Sequence, residues 1–276
     1  MAEIGKFNQL KIVKDLTFGV YLDGGELGEI LMPRRYVPRD SKLDDTINAF
    51  IYVDSEDRLI ATTETPLAQV GEFAVLRVVS INKVGAFMDW GLMKDLLVPY
   101  QEQKLKMVVG DWHVVRIYLD EQSKRIAATT KLNRYLNLVP PQYELNQEVE
   151  LFITHQTDLG YNAIVNGAHW GIIYNNEVRS DLRKGLKIKG YVKKVREDGK
   201  IDLSTIVPGY EKIDDLSEQI LKKLEKVGGY LPLGDKSDAS DIESIFHTSK
   251  KSFKKAIGAL FKKRLITVSD TEIRLV

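Results

Sequence analysis

The chain has 276 residues, of which 43% are hydrophobic and 29% charged, with a formal net charge of +1. This is the composition of an ordinary folded globular protein and excludes disordered and collagen-like classes. With zero Cys, disulfides, thiolate metal sites and cysteine nucleophiles are excluded together.

Read from the N-terminus, the chain repeats itself. Phe18-Gly19-Val20-Tyr21-Leu22-Asp23 returns as Val84-Gly85-Ala86-Phe87-Met88-Asp89, and Leu31-Met32-Pro33 returns as Leu97-Val98-Pro99. Tyr52-Val53-Asp54 and Arg58-Leu59-Ile60-Ala61 return as Tyr118-Leu119-Asp120 and Lys124-Arg125-Ile126-Ala127, all at one offset of 66 residues. A constant offset over four blocks marks an internal repeat. A fainter third copy, at an offset of 75, is anchored by Leu159-Gly160-Tyr161 and Ile201-Asp202-Leu203-Ser204-Thr205. The register is expected to drift between those anchors, with the insertion lying upstream of Gly160. The predicted modules are 1–67, 68–138, 139–208 and 209–276. Charge is uneven: residues 1–70 hold 8 Lys/Arg against 12 Asp/Glu, and residues 71–139 hold 10 against 7. A case for nucleic acid therefore rests on local patches, not on global charge.

The second copy shows the elements best. Residues 75–81 are β-branched and apolar, a second strand restarts over 84–90 after Asn82-Lys83, and Leu96-Leu97-Val98 is a short strand stopped by Pro99. Residues 112–119 form a longer strand, Asp120-Glu121-Gln122-Ser123 a turn, and 124–130 the closing strand. Five short strands in so small a unit predict a closed all-β barrel, because closure removes exposed sheet edges. The five-stranded OB-fold is the leading choice. Gly19, Gly85 and Gly160 stand where the second strand must bend round the barrel.

At these residues the repeat resembles the S1-type RNA-binding form of the OB-fold. The resemblance implies that second-strand aromatics lie on the RNA face: Phe18 and Tyr21 in copy one, and Phe87 in copy two. An exposed ring gives any base a surface to stack on, at ~1–3 kcal/mol per base. The competing reading is ordinary barrel core. In a regular strand Phe18 shares a face with Val20 and Leu22, and Tyr21 lies on the other. Both rings reach one ligand only if the bend at Gly19 breaks the alternation. Copy two has Val84 for the first aromatic, Met32 and Val98 replace a family His in strand three, and copy three offers Leu159 and Asn162. The third barrel therefore reads as a spacer or a protein-contact unit. Candidate phosphate contacts are Arg34, Arg35 and Arg39 after strand three of copy one, then Lys83, Lys94 and Lys131 in copy two, with Lys104, Lys106 and Arg134 nearby.

After Pro208-Gly209 the apolar period lengthens to that of a helix. Ile213, Leu216, Ile220, Leu221 and Leu224 mark a first helix ended by Gly228-Gly229. Asp238 or Ser240 is placed to cap a second, carrying Ile242, Ile245 and Phe246. Ser249 opens a third, with Phe253, Ile257, Leu260 and Phe261 predicted as one buried stripe. From Ser249 to Arg264 there are seven basic residues and no acidic one. Lys250 and Lys251 lie at the N-terminus, where the helix dipole disfavours cations, which points to an anionic partner, and Lys254 and Lys255 are further candidate contacts on this helix. The segment 265–276 reads as a hairpin, so the module is predicted to be an α+β winged helix whose third helix enters a groove.

Three S1-like barrels followed by a winged helix resemble the conserved virulence factor B family, most specifically through residues 250–266 and Leu231-Pro232-Leu233. The resemblance implies an RNA-binding regulator of gene expression in the bacterial cytoplasm, without catalysis. The absence of an apolar run of ~18 residues, and a start lacking signal-peptide regions, fit the expected cytoplasmic location. The four His are scattered, so no metal or other cofactor is expected. Asp23-Gly24-Gly25-Glu26, Asp54/Glu56/Asp57 and Asp120/Glu121 read as turn residues, not as phosphate loops or catalytic carboxylates. The expected partner is single-stranded RNA. The alternatives are duplex nucleic acid on the winged helix, or a scaffold for ribosome or RNA-polymerase components. No membrane contact is expected, and the sequence leaves oligomeric state open.

Overall fold

The computed structural model describes the chain apart from Met1, Ser55, Asp57, Arg179, Ser180, Val207, Gly209 and Tyr210. Of residues 211–214 it gives the helical backbone alone. Asp57, Gly209 and the side chain of Ile213, singled out above, thus lie outside the described residues.

The first barrel comprises β1 (Phe7–Leu16), β2 (Gly19–Asp23), β3 (Glu29–Pro33), β4 (Thr46–Val53) and β5 (Leu59–Thr62). The second comprises β6 (Phe73–Ile81), β7 (Gly85–Asp89), β8 (Leu96–Pro99), β9 (Trp112–Leu119) and β10 (Ile126–Thr129). The third comprises β11 (Glu148–Thr157), β12 (Gly160–Val165), β13 (His169–Tyr174), β14 (Lys187–Val195) and β15 (Ile201–Ser204). In each the strands close in the order one-two-three-five-four, the ring of an OB-fold. Inward residues such as Ile12, Leu22, Ile30, Met32 and Ile51 fill the first barrel. Their counterparts Val78, Met88, Leu96, Val98 and Ile117 fill the second.

The third copy keeps its register throughout. Glu148, Lys187 and Ile201 open strands 75 residues after Phe73, Trp112 and Ile126. The expected drift is one of side chains, not of backbone, and the insertion precedes Glu148. Two further features recur at the same offsets. The first strand shifts register between Ile12 and Lys14, between Val78 and Ser80, and between Ile153 and His155. A 3-10 turn follows strand three at Arg34–Tyr36, Tyr100–Glu102 and Asn175–Glu177.

The barrels pack through their outer faces. Phe50, Tyr52 and Ile60 of the first join Trp90, Leu92 and the second barrel's interior in one buried cluster. Phe73, Leu132, Leu136, Phe152 and Ile164 form another between the second and third.

The last module has α1 (Glu211–Lys226), α2 (Ala239–Phe246) and α3 (Lys250–Lys262) around a sheet of β16 (Tyr230–Leu231), β17 (Ile266–Val268) and β18 (Ile273–Leu275). It is a winged helix. The predicted hairpin is present, and Tyr230–Leu231 pairs with its second strand to make three strands. Ser249 caps α3, its hydroxyl accepting from the Ser252 amide at 3.2 Å. Phe261 departs from expectation. It is 55% exposed, and Ala256 completes the buried stripe with Phe253, Ile257 and Leu260.

Candidate nucleic-acid interface

The site begins with backbone geometry. In β2, Val20 and Leu22 point into the barrel while Tyr21 faces outward, half-buried. Gly19 lies so close to β3 that a Cβ there would sit 2.3 Å from the Met32 carbonyl oxygen. Gly85 and Gly160 meet the carbonyls of Val98 and Ile173 in the same way, at 2.3 and 2.0 Å. A side chain at these positions collides with backbone that cannot swing aside, so the close crossing requires glycine. The bend breaks the alternation that would have placed Phe18 inside. Phe18 is 56% exposed, and its ring lies 6.4 Å from that of Tyr21 at an interplanar angle of 87°. The two rings form an open corner on one outer surface.

Cations border this corner. The bulge in β1 brings Lys14 opposite Tyr21, and its ammonium sits 5.9 Å from the ring centroid while pairing with Glu29 at 2.6 Å. Sequence reading missed Lys14, because only the register shift aligns it with Tyr21. Arg34 donates its amide to the Phe18 carbonyl, and its guanidinium binds Asp15 and the Leu16 carbonyl. It thus braces the turn that presents Phe18. Arg35 lies over the Tyr36 ring at 4.6 Å and reaches Met93 of the second barrel. Arg39 is exposed beyond them.

On the second barrel Phe87 faces outward from β7, half-buried, and Val84 is 51% exposed in place of the missing aromatic. Lys83 is exposed beside it. Lys94 is placed differently from a phosphate contact. Its ammonium donates to the Val53 and Asp54 carbonyls of the first barrel at 2.9 and 2.6 Å. This tether holds the end of β4 against the Phe87 face of barrel two. The face becomes a pocket of about 270 Å³, lined by Phe87 and Leu97 of barrel two and by Tyr52 and Val53 of barrel one. Burial pushes the Tyr52 and Tyr118 hydroxyls up to about 12. Burial and the nearby Asp89 charge raise Asp95. Lys131 is half-buried between barrels two and three, and Arg134 pairs with Glu102 at 2.8 Å.

The third barrel lacks this arrangement. Leu159 is 65% exposed where Phe18 stands, and Asn162 replaces Tyr21, its amide 2.8 Å from the His155 ring. Lys184 donates to the Trp112 carbonyl at 2.5 Å across the seam with barrel two. Burial, with Lys184 close by, holds both His113 and His155 below the usual imidazole range. The turn carboxylates behave as turn residues. Asp54 accepts from the Glu56 and Arg58 amides and pairs with Arg58, and Asp120 accepts from the Gln122 and Ser123 amides.

On α3, Lys251, Lys254, Lys255, Gly258, Phe261 and Lys262 make one exposed stripe. Lys254 is paired with Asp235 at 2.7 Å, and Lys250 reaches the Lys236 carbonyl at 3.4 Å. Lys251 and Lys255 have neither contact.

Residues 218–275 match the model of the CvfB-like winged helix domain. The last domain is a CvfB-like winged helix. Residues 4–64 match the S1 domain model, so the first barrel is an S1 domain. Neither domain type is enzymatic, and both are nucleic-acid-binding types. The chain is 26% identical over 282 residues to Conserved virulence factor B of Staphylococcus epidermidis, covering 99% of this chain and 94% of that one. It is 29% identical to the uncharacterized protein YitL of Bacillus subtilis, over 92% and 87% of the two chains. The resemblance to conserved virulence factor B read from the sequence therefore holds along nearly the whole chain. A crystal structure of a multidomain protein with nucleic acid binding domains from Streptococcus pneumoniae aligns with 99% of this chain and 98% of its own, at 25% identity and a TM-score of 0.41. Among the described residues no helix is long and apolar enough to cross a membrane.

Proposed function

We propose that this chain is an RNA-binding regulator of gene expression that holds single-stranded RNA on the outer faces of its first two barrels. The observation that carries the reading is the Phe18–Tyr21 corner. An exposed Phe18 ring beside the half-buried ring of Tyr21, at a bend that the fold repeats, is suited to unstacked bases. Arg39, Lys83 and the exposed lysines of α3 supply phosphate contacts. The name of the staphylococcal relatives, conserved virulence factor B, supports a role in regulating virulence functions. The third barrel, with Leu159 and Asn162 in place of the two rings and Leu159 exposed, favours a protein contact at that face.

The test is titration of short single-stranded RNA, duplex RNA and duplex DNA at two salt concentrations, with wild type and Tyr21→Ala/Phe87→Ala. Single-stranded RNA is expected to bind best, with log affinity falling by about 0.7 per phosphate contact per log unit of salt. The double variant is expected to lose ~2 kcal/mol or more, about 30-fold. A flat salt plot with unchanged affinity in a folded variant overturns the reading in favour of a protein scaffold.

A further inference from the structure

Stacking and phosphate contact do not tell one base from another, yet the pocket between the first two barrels has what is needed to do so. It is about 270 Å³, just below the ~300–1,000 Å³ usual for ligand pockets. That suits one extruded base better than a run of them. Phe87 lines it and offers a ring for stacking, and Tyr52 and Val53 of barrel one line it too, held there by the Lys94 tether. An open OB face has no such wall. Here a base stacked on Phe87 has polar side chains of the pocket lining within reach of its edge.

Two carboxylates line the pocket, Asp95 and Asp120. Asp120 is occupied, accepting from the Gln122 and Ser123 amides and the Ser123 hydroxyl. Asp95 is exposed at the pocket's rim and has no hydrogen-bond or ion-pair partner among the described residues, with the carboxylate of Asp89 close enough to repel it. An ionised carboxylate only accepts. It is best satisfied by two donors side by side. Guanine alone offers such a pair on one edge, N1–H and the 2-amino group. Uracil sets a single N–H between two carbonyls, while adenine and cytosine set an amino group beside an accepting ring nitrogen.

We infer that the pocket between barrels one and two is a guanine-selective subsite, in which the base stacks on Phe87 and its N1–H and 2-amino edge pairs with Asp95. The inference rests on the RNA-binding reading and deepens it, since it makes the complex sequence-selective at one position.

The experiment uses the full chain and octauridine labelled at one end, with the central uridine left or replaced by guanosine, adenosine, cytidine or inosine, read by fluorescence anisotropy. Guanosine is expected to bind tighter than uridine, adenosine or cytidine, on the order of tenfold, the scale of a good bidentate base contact. Inosine keeps N1–H but lacks the 2-amino group, and is expected to lose most of that gain. Asp95→Asn is expected to close the ratio between guanosine and uridine oligomers, whatever its effect on absolute affinity. Equal affinities across the five oligomers in wild type overturn the subsite and leave RNA binding standing. A guanosine preference that survives both inosine and Asp95→Asn overturns the assignment to Asp95. If no oligomer binds at all, the RNA reading falls and the subsite with it.

Discussion

The corner formed by Phe18 and Tyr21 predicts more than a loss of affinity on mutation. The rings are nearly perpendicular, with centroids 6.4 Å apart, so a base stacked flat on Tyr21 would have its edge within reach of Phe18. One base then touches both rings, and the two contacts are not independent. Tyr21→Ala is expected to cost ~1–3 kcal/mol of RNA affinity, about 5- to 150-fold in Kd. Phe18→Ala alone is expected to cost less, because it removes only the edge contact. In the Tyr21→Ala background, Phe18→Ala is expected to cost little more. Residues in contact with a shared partner give coupling energies of ~0.5–3 kcal/mol, whereas independent sites add within ~0.5 kcal/mol. The assay is a double-mutant cycle on single-stranded RNA, with thermal melts of all four proteins. Both rings are at the surface and lose an edge-to-face pair worth ~0.5–1.5 kcal/mol, so the melts are expected to move by a few degrees at most. Additive losses would show that the rings serve two separate bases. Undiminished binding by folded Tyr21→Ala would remove the corner from the interface.

Two further outcomes are expected. Reversing Lys251 and Lys255 to Glu is expected to leave the thermal midpoint nearly unchanged, since exposed substitutions usually cost under ~0.5 kcal/mol. It is also expected to weaken nucleic-acid binding and reduce the salt slope, whereas unchanged binding would make α3 a solvated or protein-docking face. His113 and His155, at the seam between barrels two and three, are held below the ordinary imidazole value of 6.5 by burial and Lys184. The unfolded chain therefore binds these protons more readily, so stability is full above pH 6.5 and falls as pH drops below it. Melts at pH 7.5 and 5.5 are expected to show the loss, and His113→Gln/His155→Gln is expected to shrink it. A variant as acid-sensitive as the wild type would place the sensitive groups elsewhere.

The fold was legible because its determinants are local and repeated. Alternating apolar residues, turn residues and one glycine per second strand return at fixed offsets, and each carries its own steric reason. The glycine shows both how far such reading goes and where it stops. Its presence announces a bend, and the bend was named as the condition for Phe18 and Tyr21 to share a surface. Whether it delivers them there depends on the close approach to the Met32 carbonyl, a contact across strands that no local pattern contains. Phe261 fails for the opposite reason. A helical stripe is a statement about one cylinder, and the width of the buried face is set by α1 and α2 packing against it. Ala256, small enough to pass unnoticed in an apolar pattern, is buried with Phe253, Ile257 and Leu260, where Phe261 was expected.

Lys94 carries the argument furthest. In sequence it is one basic residue in a loop, equivalent to Lys83 or Lys104. In the fold its ammonium meets two main-chain carbonyls of a different barrel. Those carbonyls belong to the residues that close β4, and holding them there converts the open face of barrel two into a walled pocket. Composition shows how many cations a domain has. Which of them meet phosphate and which hold domains together is decided by pairing between modules far apart in sequence. Tandem barrels, on the proposal of a base-selective subsite, are more than repeated faces: one supplies the ring, and its neighbour supplies the wall beside it.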